Sequence, residues 1–360
     1  MMKNRNKVAI ISTSLGRGGA EKFAAMLSYI LENLDVEVHN IIINDHIDYE
    51  YAGKLLNLGS LSLGSNSLFK KIKKGFLLHR YLEEKQIDLI IDNRPRNNLA
   101  RELLTHWIYG NRRLWFVVHS SKLDNYFPKS VFWSKLLYQK AEKIICVSNA
   151  IELELKQKFD LVNTTTIHNP YDFSKIEMNN QEVFADKYIL YFGRFDEKVK
   201  NFSLMLEAFL ISKIFLRGYK LYIMGEGPDL AFIQDKIKEF KLDFFIQLLL
   251  FNSNPFPCVQ QAKFTILTSR YEGFPLSIIE SLALGTPVVS VDCKSGPNEI
   301  IKNEYNGLLV ENNNPDSLAL AMNRFIDDAD LYDFCKKNAS SSVEHLSLKS
   351  ISKQWESILF

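Results

Sequence analysis

The sequence predicts an α/β fold of two doubly wound, parallel-sheet domains, and three observations carry that prediction. At 360 residues the chain is too long for one ordinary core. Short apolar runs alternate with segments of helical periodicity along most of its length. The alternation breaks once near the middle, at the Asn169-Pro170 stretch "TTTIHNPYDFSKI", and then restarts.

In the first half, "KVAIIST", "VEVHNIIIN", "IDLIIDN", "LWFVVHS" and "KIICVSN" read as strands, mostly apolar on both faces. Such runs between helices fit a parallel sheet covered on both sides. "GGAEKFAAMLSYILENL" reads as the first helix. In the second half, "YILYFGRF", "YKLYIMGEG", "FFIQLLLF", "FTILTS", "TPVVSVD" and "GLLV" are strands, and "NFSLMLEAFLIS" and "DLAFIQDKIKEF" are helices between them. Two successive units of this kind imply two Rossmann-like domains, 1–180 and 181–345, with the closing helix of 346–360 packed back on the first. Ligands of open parallel sheets bind at the carboxyl ends of the strands, so the expected site is a cleft between two facing domains.

Composition narrows the class. Hydrophobic content of 46% with 24% charged residues is that of a soluble globular protein. No apolar run approaches the roughly 18 residues of a membrane helix, and the longest, "FFIQLLLF" at 244–251, is expected to be one buried strand. The basic N-terminus leads into "VAII", too short for a secretory segment, so a cytoplasmic protein is expected. Cys146, Cys258, Cys293 and Cys335 lie far apart without C-x-x-C spacing and are expected to be reduced, buried and structural. Residues 1–180 hold 25 Lys+Arg against 19 Asp+Glu, whereas the remainder holds 19 against 23, so the halves should meet different partners.

The chemistry concentrates at 269–290, "SRYEGFPLSIIESLALGTPVVS". Pro275 lacks an N–H and Gly273 is flexible, so a helix should start near Pro275, with Gly285 ending it. The first amides, at Leu276 and Ser277, have no partner inside that helix and form a ready phosphate site. Glu280 lies one turn in, roughly 6 Å along the axis, and Glu272 just before the start. A ligand with hydroxyls on both sides of a phosphate, such as a nucleotide sugar, suits that arrangement. By spacing alone, two acids favoured by the helix dipole suit it equally.

"EGFPLSIIE" followed by "LGTPVVS" resembles the E-x7-E motif of retaining glycosyltransferase family four, which has the GT-B fold. "YFGRFDEKVKN", "LYIMGEGP", "DCKSGPNEII", "NGLLV" and "SLGRGGAEK" resemble further segments of that family in the right order. The likeness spans most of the second half and scattered points of the first. It implies a retaining transferase of bacterial cell-surface glycan synthesis, moving a hexose or N-acetylhexosamine from a nucleotide sugar, with UDP as the expected nucleotide, to a glycan or lipid-linked saccharide. It further implies that Arg194 and Lys200 hold the donor diphosphate, neutralising the charge that develops as it leaves. Glu280 would accept from ribose hydroxyls and Glu272 would contact the hexose. The amides of Leu276 and Ser277 would bind phosphate, and those of Gly273 and Phe274 would face the sugar. Gly193, Gly225 and Phe251 complete the implied donor site. The sequence departs from the family at Pro275 and Leu250, where many members carry Gly.

On the acceptor side, Gly18 and Gly19 open the first helix and let backbone approach a ligand, with Arg17 beside them. "NRPRNN" follows a strand end, so Arg94 or Arg96 is expected to line the acceptor. His119 ends the strand "FVVHS", and the resemblance places it close to the donor hexose, though not as a general base. Retaining members are thought to attack on the leaving-group face, where the phosphate itself helps take the acceptor proton. No metal or other cofactor is expected: the single D-x-D, Asp328-Ala-Asp330, reads as an exposed helix junction. "LFKKIKKGFLLHRYLEEK", 68–85, mixes basic and apolar residues at helical spacing. It fits either an ordinary amphipathic helix or one lying on an anionic membrane surface. Nucleic-acid binding lacks any recognisable module. Other readings stay open at this stage, namely a nucleotide-sugar epimerase or a catalytically silent scaffold of the same fold.

Overall fold

The computed structural model describes residues 6–16, 18–61, 68–172 and 184–360. It divides into two compact units, one ending at Pro170 and including Ile351–Phe360, the other Tyr171–Ser350. The boundary expected at 180 falls outside the described residues.

The first unit is built on seven strands: β1 Lys7–Ser12, β2 Glu37–Ile42, β3 Lys54–Asn57, β4 Leu89–Asp92, β5 Arg113–Val118, β6 Lys143–Cys146 and β7 Thr164–Thr166. All pair in parallel, in the order β3-β2-β1-β4-β5-β6-β7. β4 is buried throughout, as a strand with helices on both faces must be. Helix starts follow local capping chemistry: the Asn98 side chain accepts from the Arg101 amide and that of Ser148 from the Ile151 amide. The closing helix Leu348–Leu359 seals this core, with Trp355 fully buried at 6.1 Å from the Trp115 ring and 6.2 Å from that of Phe23.

The second unit holds β8 Lys187–Phe192, β9 Tyr219–Gly225, β10 Ile246–Leu250, β11 Thr265–Leu267, β12 Val288–Asp292 and β13 Gly307–Glu311. Their order, β10-β9-β8-β11-β12-β13, repeats that of the first six strands of the other unit. Each sheet therefore has its topological switch point beside its first strand, between β1 and β4 and between β8 and β11.

The stretch 244–251 departs from expectation. It is no buried strand: β10 pairs only with β9 at the edge of the sheet, and Phe244 and Leu250 are 87% and 90% exposed. Apolar composition marks a strand, but its position in the sheet decides whether both faces are covered. All four cysteines are buried and unbridged.

Candidate functional site

At the carboxyl end of the second sheet, β8 and β9 lead into loops that cross in backbone contact. A Cβ on Gly225 would lie 1.9 Å from the Gly193 carbonyl oxygen, and one on Gly227 2.2 Å from that of Phe195. Gly225 also sits at φ 153°, so no side chain fits there on either count. The crossing is pinned by the Gly193 amide on the Met224 carbonyl (3.0 Å) and the Phe195 amide on that of Glu226 (2.8 Å). Gly193 and Arg194 are left exposed at the carboxyl end of β8. Buried Tyr191 donates its hydroxyl to the Arg194 carbonyl at 2.9 Å. Burial, reinforced by the Glu272 and Asp196 charges, keeps that phenol neutral by pushing its pKa far up.

Lys200 ends the short helix Glu197–Lys200, and Asn201 turns the chain through the left-handed region at φ 55°. The Lys200 ammonium meets Glu272 Oε1 at 2.6 Å, and the Ser269 hydroxyl donates to the same oxygen at 2.6 Å. Their backbones are laced together as well. The Thr268 hydroxyl donates to the Lys200 carbonyl at 2.8 Å, and the Arg270 amide to that of Val199 at 2.8 Å. Ser269 and Thr268 were not singled out by sequence reasoning. The signal was present as two hydroxyls in the turn leading to Glu272, but nothing local shows which carboxylate or carbonyl they meet.

Helix Leu276–Ala283 begins directly after Pro275, whose carbonyl accepts from the Ile278 amide at 3.2 Å. Pro275 thus acts as the capping residue of the start, and the amides of Leu276 and Ser277 have no acceptor inside the helix. The helix closes with paired bonds from the Gly285 amide to Leu282 (2.8 Å) and the Thr286 amide to Ser281 (2.9 Å), with Gly285 at φ 80°. Glu280 is buried one turn in. The loop before the helix is braced from outside: Ser295 donates to the Gly273 carbonyl (2.8 Å), and the Glu272 amide to that of Lys294 (3.2 Å). Phe274 is buried, whereas Phe251, after β10, is 39% exposed.

In the first unit, Gly18 caps helix Gly19–Asn33 in an extended conformation, and its carbonyl accepts from the Lys22 amide. Arg17 lies outside the described residues. His119 follows β5 and donates from Nε2 to Asn93 Oδ1, because the Asn93 amide nitrogen is itself a donor to the Ala20 carbonyl (2.8 Å). Asn93 also donates its backbone amide to Ile11 (2.8 Å), so one residue ties β1, the first helix and the β5 end together. Burial, then the nearby Arg96 charge, holds the His119 pKa down to about 3, so the imidazole stays neutral.

Arg94 is a correction. Its guanidinium does not line an acceptor face: it makes a two-point pair with buried Asp92 (Nε–Oδ1 2.9 Å, Nη2–Oδ2 2.7 Å) and donates to the Tyr109 hydroxyl (2.8 Å). Arg96 is likewise turned inward, fully buried 4.6 Å over the Phe116 ring and donating to the carbonyls of Asp92, Arg94 and Val117. A carboxylate buried at the end of β4 needs a counter-charge, and the adjacent arginine supplies it. Asp328 of the D-x-D caps helix Ala329–Ser342 through the Leu331 amide at 2.9 Å.

Residues 17–175 match the family described as Glycosyltransferase Family 4, and residues 174–342 match Glycosyl transferases group 1. The chain is 32% identical over 355 residues to the N-acetylgalactosamine-N,N'-diacetylbacillosaminyl-diphospho-undecaprenol 4-alpha-N-acetylgalactosaminyltransferase of Campylobacter jejuni, covering 94% of this chain and 95% of the relative. It is 26% identical to the poly(ribitol-phosphate) alpha-N-acetylglucosaminyltransferase of Staphylococcus aureus, covering 90% and 67%. Among solved structures, HepE of Anabaena in complex with UDP and glucose has the same fold, with a TM-score of 0.79 at 17% identity over 99% of both chains.

Proposed function

Because this chain belongs to glycosyltransferase family 4, we propose that its second unit binds a nucleotide sugar, with UDP as the nucleotide, and that the sugar passes to a glycan or lipid-linked saccharide with retained configuration. Membership makes it a glycosyltransferase of bacterial glycan synthesis. The observation that carries the finer reading is the Lys200–Glu272 contact at 2.6 Å, beside the start of helix Leu276–Ala283. A cation, unpartnered helix amides and a hydroxyl-accepting acid are thereby gathered by one loop system.

In this reading Lys200 and Arg194 take the diphosphate, with the Leu276 and Ser277 amides on the same charge. Glu272 and Glu280 accept from hexose and ribose hydroxyls respectively, and Phe251 lies against the base. The C1–O bond to the diphosphate breaks, C1 bonds to the acceptor oxygen on the same face, and the acceptor proton passes to the leaving phosphate. Neutral His119, with a pKa near 3, is too weak a base for that proton, and a general base works best when poised near the working pH. The α-linkages named for two relatives support retention from an α-configured donor. The diphosphate charge is met by Lys200, Arg194 and helix amides, so no divalent metal is required.

A thermal-shift panel of UDP, GDP and ADP tests the donor site. One nucleotide should raise the melting temperature, with about 2.7 kcal/mol of stabilisation at a hundredfold excess over Kd, and EDTA should leave turnover unchanged. No shift with any nucleotide would overturn the reading.

A further inference from the structure

The first unit presents a layer of three adjoining helices whose outer face is apolar. Helices Leu68–Glu84, Leu99–Tyr109 and Val131–Tyr138 pack one against the next. They are the successive crossovers of β3 to β4, β4 to β5 and β5 to β6, and right-handed crossovers running in one direction share one face of a sheet. Each helix buries its inner stripe. Helix Leu99–Tyr109, for example, buries Glu102, Thr105, Ile108 and Tyr109. The outer stripes should be polar, yet Phe76, Trp107 and Phe132 are 62%, 69% and 68% exposed, one on each helix. Ile72, Leu103 and Leu136 lie one turn from them and are also exposed. The Trp107 ring stacks on His79 of the neighbouring helix at 5.6 Å, so the first two stripes join, and the third helix packs beside them. Isolated exposed apolar side chains are ordinary, but six on three adjoining helices form a patch that calls for a partner.

Charge selects the partner. Exposed Lys73 and Lys129 each lie three positions before an exposed aromatic, Phe76 and Phe132, and the sequence adds Lys70 and Lys71 to the first turn of helix Leu68–Glu84. The exposed acids of that helix stand at its far end, where Glu83 pairs with Arg112 and Glu84 with Arg80. A second copy of the chain placed on the same face would set these lysines against themselves. An anionic lipid surface would not, and aromatic side chains with lysines beside them are the usual residues of a membrane interface.

We propose that this three-helix face docks on an anionic bilayer, with Phe76, Trp107 and Phe132 at the headgroup–acyl boundary and Lys73 and Lys129 among the lipid phosphates. The face is wider than helix Leu68–Glu84 alone, because two of its three aromatic anchors lie on other helices. Docking needs neither donor nor acceptor, so its test is separate from that of the nucleotide site.

The test is flotation of the full chain with vesicles of phosphatidylcholine alone, or of equal parts phosphatidylcholine and phosphatidylglycerol. The chain should float with the anionic vesicles, and binding should fall by about tenfold or more on neutral ones and at high salt. Phe76→Ser/Trp107→Ser/Phe132→Ser should lose about tenfold or more, and Lys73→Glu/Lys129→Glu should lose the preference for anionic lipid. Both variants should keep the wild-type melting temperature, since every changed side chain is exposed. No flotation of the wild type overturns the proposal, as does undiminished flotation of the triple serine variant. Dimers in sedimentation that the triple variant dissolves, without any vesicle binding, would assign the face to a second copy instead.

Discussion

Lys200 and Glu272 stand 72 positions apart in the chain and meet at 2.6 Å, each less than a fifth exposed. The contact joins the loop after β8 to the loop before helix Leu276–Ala283, and a donor diphosphate would enter by drawing the ammonium from the carboxylate to phosphate. Lys200→Ala should therefore lower kcat/KM by about a hundredfold, roughly 3 kcal/mol of lost transition-state stabilisation. It should also lower stability by ~1–3 kcal/mol, between the values of exposed and fully buried pairs. Glu280→Gln should weaken UDP binding with little loss of stability. Wild-type turnover in both variants would remove these residues from the site.

Ser269 is a positioning residue in this scheme, since its hydroxyl shares Glu272 Oε1 with Lys200. Ser269→Ala should reduce kcat by about tenfold while UDP affinity stays unchanged, because in the proposed site Glu272 serves the sugar end of the donor. Ser269→Thr should restore the rate. Equal losses of UDP affinity and rate would point to general loosening of the loop.

Arg94 should matter for stability and not for substrate. Arg94→Ala leaves Asp92 buried without its counter-ion, a loss of about 3–5 kcal/mol, with KM unchanged in the protein that still folds. Burial pushes the Asp92 carboxyl up, but the Arg94 guanidinium more than offsets it and the pKa lies below the usual value. The stability due to this pair is thus complete above about pH 4 and disappears as pH falls through the folded-state pKa. Acid melting curves of wild type and variant should converge there.

Glu102 has the opposite sign. It is fully buried, and burial first, then the Asp92 charge, raises its pKa. Its contribution is most favourable at low pH and is lost as pH rises through the raised value. Glu102→Gln should therefore increase the melting temperature more at pH 8 than at pH 4.5. An equal change at both values would mean that the carboxyl is not the titrating group.

Much of the architecture was legible because it rests on local pattern. Periodicity gave both runs of strand and helix, and Pro275 and Gly285 marked the ends of one helix through backbone restrictions that hold in any context. The edge position of β10 was not legible, since an apolar run such as "FFIQLLLF" looks the same at the centre of a sheet and at its rim.

Arg94 and Lys200 show where sequence stops. Arg94 stands two residues past β4 and Lys200 ends the short helix that follows β8, and each is expected from sequence to face a ligand. Arg94 is instead held by Asp92 and Tyr109, whereas Lys200 stands at the loop of Glu272. The sequence by itself determined every strand but the short β3 and β7, the second of which lies in the stretch read as a linker, together with the helix start and the pair of acids spaced to flank it. Only the tertiary structure decided which cation is spent inside the fold and which stands at the proposed donor site. An ion pair is chosen by distance in space, and the sheet order and loop crossings that set those distances are non-local.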